Sequence, residues 1–268
     1  MSKRTGLSAI ACLALLMGQP AAGQAAAPQG SAIDAALAAP NRTAANVARD
    51  KSRNPKETLS FFGVEPGGTI VELWPGGGWY TEVLAPYLAS AGALYVIPPA
   101  GRYDERIRAK LAADAVYGKV QVATFTAGQP TSIPAGSADV VLTFRNVHSW
   151  LDGDEPIADQ VFAEAFRMLK PGGTLGVVEH RLPEGAADER QKTSGYVKVS
   201  TVRRLAEAAG FRFAGSSEIN ANPKDTADHP EGVWTLPPSL RLGDKDREKY
   251  LAIGESDRMT LKFIKPRS

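Results

Sequence analysis

The sequence predicts an α/β fold: a doubly wound sheet of about seven strands, mostly parallel, with helices on its faces. Three observations carry this expectation. Short apolar runs alternate with stretches of helical periodicity from residue 69 to residue 180. Three consecutive glycines, Gly76, Gly77 and Gly78, join the first such run to the first such helix. Polar and charged residues gather directly after the apolar runs, where open sheets of this kind place their ligands.

The elements follow in chain order. Lys3 and Arg4 precede the apolar run Leu7–Gly18, and small residues follow in QPAAGQAAAP. That pattern predicts a secretory signal peptide over residues 1–25, cleaved between Ala22 and Ala27. The run is shorter than the roughly 20 residues that span a bilayer, so no stable membrane span is expected after cleavage. The single cysteine, Cys12, lies inside the run and not at its end, which argues against lipidation. The chain beyond it carries no thiol, so disulfides, cysteine-bound zinc and cysteine nucleophiles are excluded there. An export signal without a disulfide partner points to the periplasm of a bacterial envelope. Without Lys3 and Arg4 the 31 basic residues fall to 29 and equal the 29 acidic ones. Nucleic-acid binding, which relies on surplus positive charge to neutralise phosphates, is not expected. Nothing in the pattern specifies an oligomeric state.

Residues 26–56 are Ala-rich and polar, with helical stretches expected at Ser31–Ala39 and Arg42–Arg53; they form an N-terminal arm on the edge of the domain at 57–268. TIVELW (69–74) is the first strand and WYTEVLAPYLAS (79–90) the helix after it. ALYVI (93–97), VQVATF (120–125), ADVVLTF (138–144) and TLGVVEH (174–180) are further strands, separated by helices over 104–114 and 155–170 and by the turn KPGG. A helix at 202–210, a strand at 211–219 and a final strand at 258–264 close the chain. The polar segment 219–243 between the last two strands is expected to lie over the cleft as a lid.

The glycines after the first strand permit positive φ and close approach of the backbone to a ligand, and the helix that follows offers unpaired N–H groups. Glu72, at the strand end, orients this loop or meets a positively charged ligand. Trp74, Trp79 and Tyr80 either stack on a ligand, since cations favour aromatic faces, or fill core. TFRNVHSW (143–150) places Arg145, Asn146, His148 and Trp150 just beyond the fourth strand. An apolar strand that breaks into charge needs partners for it. Arg145 either binds a carboxylate or phosphate of a substrate or pairs with Glu179 or Glu72. His148 is either a general base or a loop-fixing hydrogen-bond donor. VVEHR (177–181) adds Glu179, His180 and Arg181 at the neighbouring strand end, and the lid segment offers Asp225, His229 and Trp234. Further on, Asp257 and Arg258 pair with each other or reach the cleft with Glu255. The three histidines lie far apart in sequence and lack an i, i+4 pair, so no metal site is expected. A serine hydrolase is excluded: no G-x-S-x-G elbow is present, and Ser256 is flanked by acids.

Glu72, Gly76 and Gly78, with Asp139 opening the fourth strand, LKPGG at 169–173, the strand GVVEH and AEAAGF at 206–211, resemble the class I S-adenosylmethionine-dependent methyltransferases over roughly residues 55–266. More narrowly, WPGGGWYTEVLAP, TFRNVHSW, VVEHR, SEINANPKDTADHPEGVWTLPP and GESDRMTLKF resemble a subgroup of exported bacterial proteins described as predicted methyltransferases. The resemblance implies a Rossmann-like sheet with an antiparallel last strand. It implies S-adenosyl-L-methionine as cofactor, held by Glu72, Trp74, Gly76, Gly77, Gly78, Trp79 and Tyr80, and methyl transfer to a small polar molecule. His148 is then the first choice for catalytic base and His180 the second, with Arg145 and Asn146 positioning the substrate. Trp150, Glu179, Arg181, Asp225, His229 and Trp234 are expected around the substrate and its lid. This sequence departs from the family pattern in three places: Trp74 stands at the first glycine of the motif, the second strand ends in Pro98 and Pro99 where an acid holds the ribose, and the third ends TFTAG. These departures keep a second function class open, a non-catalytic protein of the same fold that binds another small ligand.

Overall fold

The computed structural model describes residues 1–2 and 29–267. All but the first two residues of the expected signal peptide, with Cys12 and the expected cleavage region, lie outside the described residues.

The N-terminal arm contributes α1 (Gln29–Leu37), α2 (Ala44–Val47) and α3 (Asp50–Arg53), followed by α4 (Pro55–Phe62). The single helix expected over 42–53 is two turns with a bend between them. Arg42 holds the bend by reaching both oxygens of Asp50, at 2.6 and 2.7 Å. The α4 helix was not expected from the sequence, although Pro55 at its first position and Gly63 in the left-handed region after its end are the ordinary start and stop signals.

The alternating part runs β1 (Thr69–Leu73), α5 (Thr81–Leu88), β2 (Ala93–Ile97), α6 (Arg102–Ala112), β3 (Gln121–Val122), β4 (Ala138–Phe144), α7 (Val147–Trp150), α8 (Ala158–Met168) and β5 (Leu169–Leu182). Then come α9 (Arg190–Thr193), β6 (Val197–Lys198), α10 (Val199–Ala208), β7 (Arg212–Ser217), α11 (Arg247–Ile253) and β8 (Arg258–Ile264). The sheet has eight strands in the order β3-β2-β1-β4-β5-β8-β7, with β6 pairing separately with β5. The expected count of about seven omitted the two-residue β6. All pairs are parallel except those of β8, which runs antiparallel to both β5 and β7.

Two expectations need correction. The strand expected over 120–125 pairs only at Gln121 and Val122, because the chain leaves the sheet edge after Ala123 and turns back through a bridge between Thr126 and Gln129. The KPGG segment does not end one element before another begins. The β5 strand starts at Leu169, opposite Ala138, and its register with β4 then jumps so that Thr174 faces Val140.

The central strands are apolar on both faces, as a sheet covered on both sides requires. Ile70, Val140, Leu142 and Val178 join Phe62 of α4 and Val83, Leu84 and Leu88 of α5 in one core. Val71, Val141, Leu175 and Val177 join Val161, Phe162, Ala165 and Met168 of α8 and Val202 and Leu205 of α10 in the other. Gly176 is needed where α4 presses on the sheet: a β-carbon there would lie 2.6 Å from the Phe62 ring. This two-sided core fixes the carboxyl ends of β1, β4 and β5 side by side, with the strand order reversing at β1.

Candidate active site

A cleft of about 550 Å³ opens at those strand ends. One wall is the glycine loop. Trp74 and Gly76 both have left-handed backbones (φ 47° and 60°), which turns the chain sharply out of β1. A β-carbon on Gly76 would touch nothing, and one on Gly77 would come no nearer than 4.0 Å to Arg106, so both face open space. Gly78 serves packing instead: a β-carbon there would run into Ile107 and Lys110 at 2.8–2.9 Å. Trp74 and Trp79 line the cleft. Tyr80 does not; it stacks flat on Phe144 with ring centres 3.5 Å apart and is core. Glu72 is also behind the wall, where it accepts a 2.6 Å hydrogen bond from the Thr81 hydroxyl. Burial pushes its carboxyl up to about 7 against the opposing effect of that bond. It therefore ties β1 to α5 and does not meet a ligand directly.

The second wall comes from β4 and α7. Arg145 follows the strand with φ 64°, and its guanidinium has no hydrogen-bond or ion-pair partner among the described residues. Neither of its expected partners, Glu179 or Glu72, pairs with it. Burial and the nearby Arg258 bring it down to about 10, so it stays charged at neutral pH. Asn146 spends its amide nitrogen on the Leu73 and Trp74 carbonyls and the Thr143 hydroxyl, at 3.0–3.2 Å. It clamps the glycine loop to β4 while itself lining the cleft. Trp150 is buried edge-on to Trp74 and Phe162 and does not reach the cleft.

His148 and His180 line the cleft together, their rings 5.5 Å apart. His148 Nδ1 lies 3.0 Å from a carboxylate oxygen of Glu179, which is wholly buried at the next strand end. Glu179 also accepts the backbone N–H groups of His148 and His180. With Nδ1 committed to the carboxylate, Nε2 is the nitrogen His148 can offer to a reactant. His180 places Nδ1 2.5 Å from the Ser256 hydroxyl. Burial, then His148 and the surrounding arginines, hold it well below the ordinary imidazole range, so it is neutral at pH 7. Donor atoms of His148, Glu179 and His180 fall within 4.8 Å of one another, a grouping that the sequence separation had hidden. By distance alone they suit a cation, but Arg145, Arg258 and Arg53 all act on His180, and that field opposes one.

The lid segment contributes Val233, Trp234, Pro237, Pro238 and Ser239 to the cleft, and Trp234 stands edge-on to His148 at 6.1 Å. Asp225 and His229 do not line it. His229 Nε2 is 2.8 Å from Asp225, which also accepts the Tyr196 hydroxyl and the N–H groups of Ala227 and Asp257. The pair holds the lid to the domain. Arg181 points away too, in ion pairs with Asp257 and Glu218 at 2.7 and 2.8 Å.

The third wall was not foreseen. Thr43, Asn46, Arg49 and Arg53 of the arm line the cleft, opposite Glu255. Glu255 takes Arg49 at 2.6 Å, Arg258 at 3.1 Å and Arg53 at 3.4 Å. Burial pushes its carboxyl up, but Arg53, Arg258 and Arg49 outweigh that and hold it at about 2. Arg53 also lies over the Trp79 ring at 4.7 Å. The i, i+4 spacing of Arg49 and Arg53 was legible; that their shared face meets the cleft was not.

Residues 71–177 match the profile of a family described as a methyltransferase domain. No curated protein matches the chain. Among solved structures, an S-adenosylmethionine-dependent methyltransferase from Aquifex aeolicus is similar at a TM-score of 0.57 and 16% identity, over 81% of this chain and 93% of that one. A geranyl diphosphate methyltransferase solved with S-adenosylmethionine is similar at 0.55 and 15%, over 87% and 94% of the two chains. The [4+2]-cyclase SpnF is similar at 0.57 and 17%, over 81% of each. These likenesses establish the fold. The family match itself lies within the alternating part of the sheet, from β1 to β5.

Proposed function

We propose that this protein transfers a methyl group from S-adenosyl-L-methionine to a small polar molecule, with His148 as general base. The observation that carries this reading is one shared cleft: the open face of Gly76 and Gly77 and the Glu179-held His148 line the same space. Open backbone at those two glycines, beside the Trp74 ring that lines the same cleft, suits a sulfonium cofactor. When bound, S-adenosylmethionine supplies an electrophilic methyl group. The chain's part is to hold the acceptor in line and, where the attacking atom carries a proton, to remove it through His148 Nε2. Glu179 fixes the ring and stabilises the imidazolium that results. Export to the periplasm is part of this proposal and rests on Lys3, Arg4 and the apolar run Leu7–Gly18. Among the described residues no helix is long and apolar enough to cross a membrane.

A second reading has its own observation. Pro98 and Pro99 follow β2 where an acid would hold the ribose, and Arg106 and Lys110 of α6 line the cleft on that side. Fold alone does not fix chemistry, and one similar structure is a cyclase. The alternative is a non-catalytic protein binding another small ligand. Calorimetric titration with S-adenosylmethionine and S-adenosylhomocysteine decides between them, with Gly77→Arg, which fills the loop's open face, as control. Micromolar binding that the control loses supports the methyltransferase reading. Folded protein that ignores both ligands at millimolar concentration ends it.

A further inference from the structure

The cleft holds more positive charge than its own carboxylates can satisfy. Arg49, Arg53 and Arg145 line it and Arg258 stands behind. The carboxylates acting on this group are Glu255 and Glu179, which leaves a surplus of two positive charges. Glu179 is already committed to His148. Glu255 alone pairs with three arginines and makes no ion pair with the fourth, Arg145, among the described residues.

The hydrogen bonds show the same deficit. Among the described residues, Arg49 Nη2, Arg53 Nη2 and Arg258 Nε are buried without an acceptor, and the Arg145 guanidinium makes no hydrogen bond or ion pair. Buried guanidinium N–H groups left unpaired are costly, and a chain that needed only a rigid wall would place carbonyls or acids there. The side chains of Arg53 and Arg258 are only 3% and 4% exposed, so bulk water does not stand in for the missing acceptor. Guanidinium donors converging from separate elements are the usual means of holding oxyanions. Here they converge from the arm and the end of β4, beside His148.

We propose that the acceptor enters this cleft by a compact oxyanion, a phosphate or carboxylate group, seated between Arg145, Arg53 and Arg49. This rests on the methyltransferase reading for the word acceptor; the anion site itself rests only on the arginines. The surplus of two charges favours a dianionic phosphate over a single carboxylate. Seated there, the anion would hold the rest of the molecule against His148 and the glycine loop. Burial brings Arg53 down to about 9, aided by Arg145 and opposed by Glu255, so it remains a cation at neutral pH.

The test titrates the full chain calorimetrically with inorganic phosphate and, in parallel, with acetate, each with and without saturating S-adenosylhomocysteine. Phosphate is expected to bind, more tightly than acetate, and to weaken as salt rises. Arg145→Gln and Arg49→Gln are each expected to weaken it at least tenfold, while Arg108→Gln, whose side chain pairs with Asp104 on the outer face of α6, leaves it unchanged. Arg49 is partly exposed and its variant guards against misfolding of the first. Acetate binding as tightly as phosphate would keep the site and assign it to a carboxylate. Neither anion binding would overturn the proposal. Phosphate binding abolished by S-adenosylhomocysteine would also overturn it, because the arginines would then serve the cofactor's own carboxylate. Phosphate bound by a protein that ignores S-adenosylhomocysteine would keep the anion site and end the methyltransferase reading instead.

Discussion

Two histidine–carboxylate pairs of nearly equal geometry do different work in this molecule. His148–Glu179 is closed at 3.0 Å and His229–Asp225 at 2.8 Å, and both carboxylates are fully buried. In the first pair the imidazole lines a cleft and keeps a free nitrogen. In the second the imidazole is walled in, edge-on to Tyr250, and its carboxylate is shared with the Tyr196 hydroxyl and two backbone N–H groups. Burial, followed by Asp225, holds the Tyr196 phenol protonated far above its ordinary range, so it acts as a fixed donor. A histidine beside an acid is therefore no evidence of catalysis by itself. What separates the two pairs is whether the second imidazole nitrogen meets a cavity or a wall.

The comparison can be broken by substitution. With any acceptor that supports turnover, His148→Gln is expected to lower kcat by about 10²–10⁴-fold, with a thermal midpoint close to that of the parent. Equal kcat in the variant would place the two pairs in the same structural class. Asp225→Ala should do the reverse. It strands the Tyr196 hydroxyl and the Asp257 N–H, and a loss of about 2–4 kcal/mol in urea unfolding is expected. S-adenosylhomocysteine affinity per folded molecule should be kept.

A third buried carboxylate sharpens the contrast because it has no cation or imidazole. Among the described residues the Glu72 carboxylate is held by Thr81 alone, and burial sets it at about 7 in the fold against an ordinary 4.5. Its folded value is the higher one, so its contribution to stability is complete below about 4.5 and is lost as pH rises through 7. Glu72→Gln should therefore gain stability over the parent as pH is raised from 5 to 8, by on the order of 1–3 kcal/mol. A gain independent of pH would show that Glu72 is not the titrating group. Glu255 has the opposite sign. Its folded value near 2 lies below the ordinary 4.5, so its stabilisation is complete above that range and is lost as pH falls toward 2.

The elements that carry the sheet were legible because their apolar runs are long and alternate with helical spacing: TIVEL, ALYVI and ADVVLTF appear as strands with little change. The edge strand was overread, since VQVATF has the composition of a strand but no second neighbour to pair with beyond Val122. At the site, local signals placed Trp74, Gly76, Gly77, Arg145, His148 and His180 after strand ends, and all of them line the cleft. The same reasoning drew in Tyr80, Trp150, Arg181, Asp225 and His229, because period and position do not say which way a side chain turns. Trp150 illustrates the failure: it lies two residues from His148 and faces the core, as a single turn of α7 requires of opposite sides.

By itself, the sequence determined the alternating sheet, the sharp turn at the glycines and the gathering of polar residues at the strand ends, because each depends on neighbours within a few positions. Only the tertiary structure decided which histidine was left a free nitrogen, and that Arg49 and Arg53 of the arm meet Glu255 across about 200 residues of chain, in the cleft that Arg145 also lines. Charges that distant are brought together by the packing of the arm against the domain. Their energy depends on burial and on the number of partners, and neither quantity is written in any local stretch of the chain.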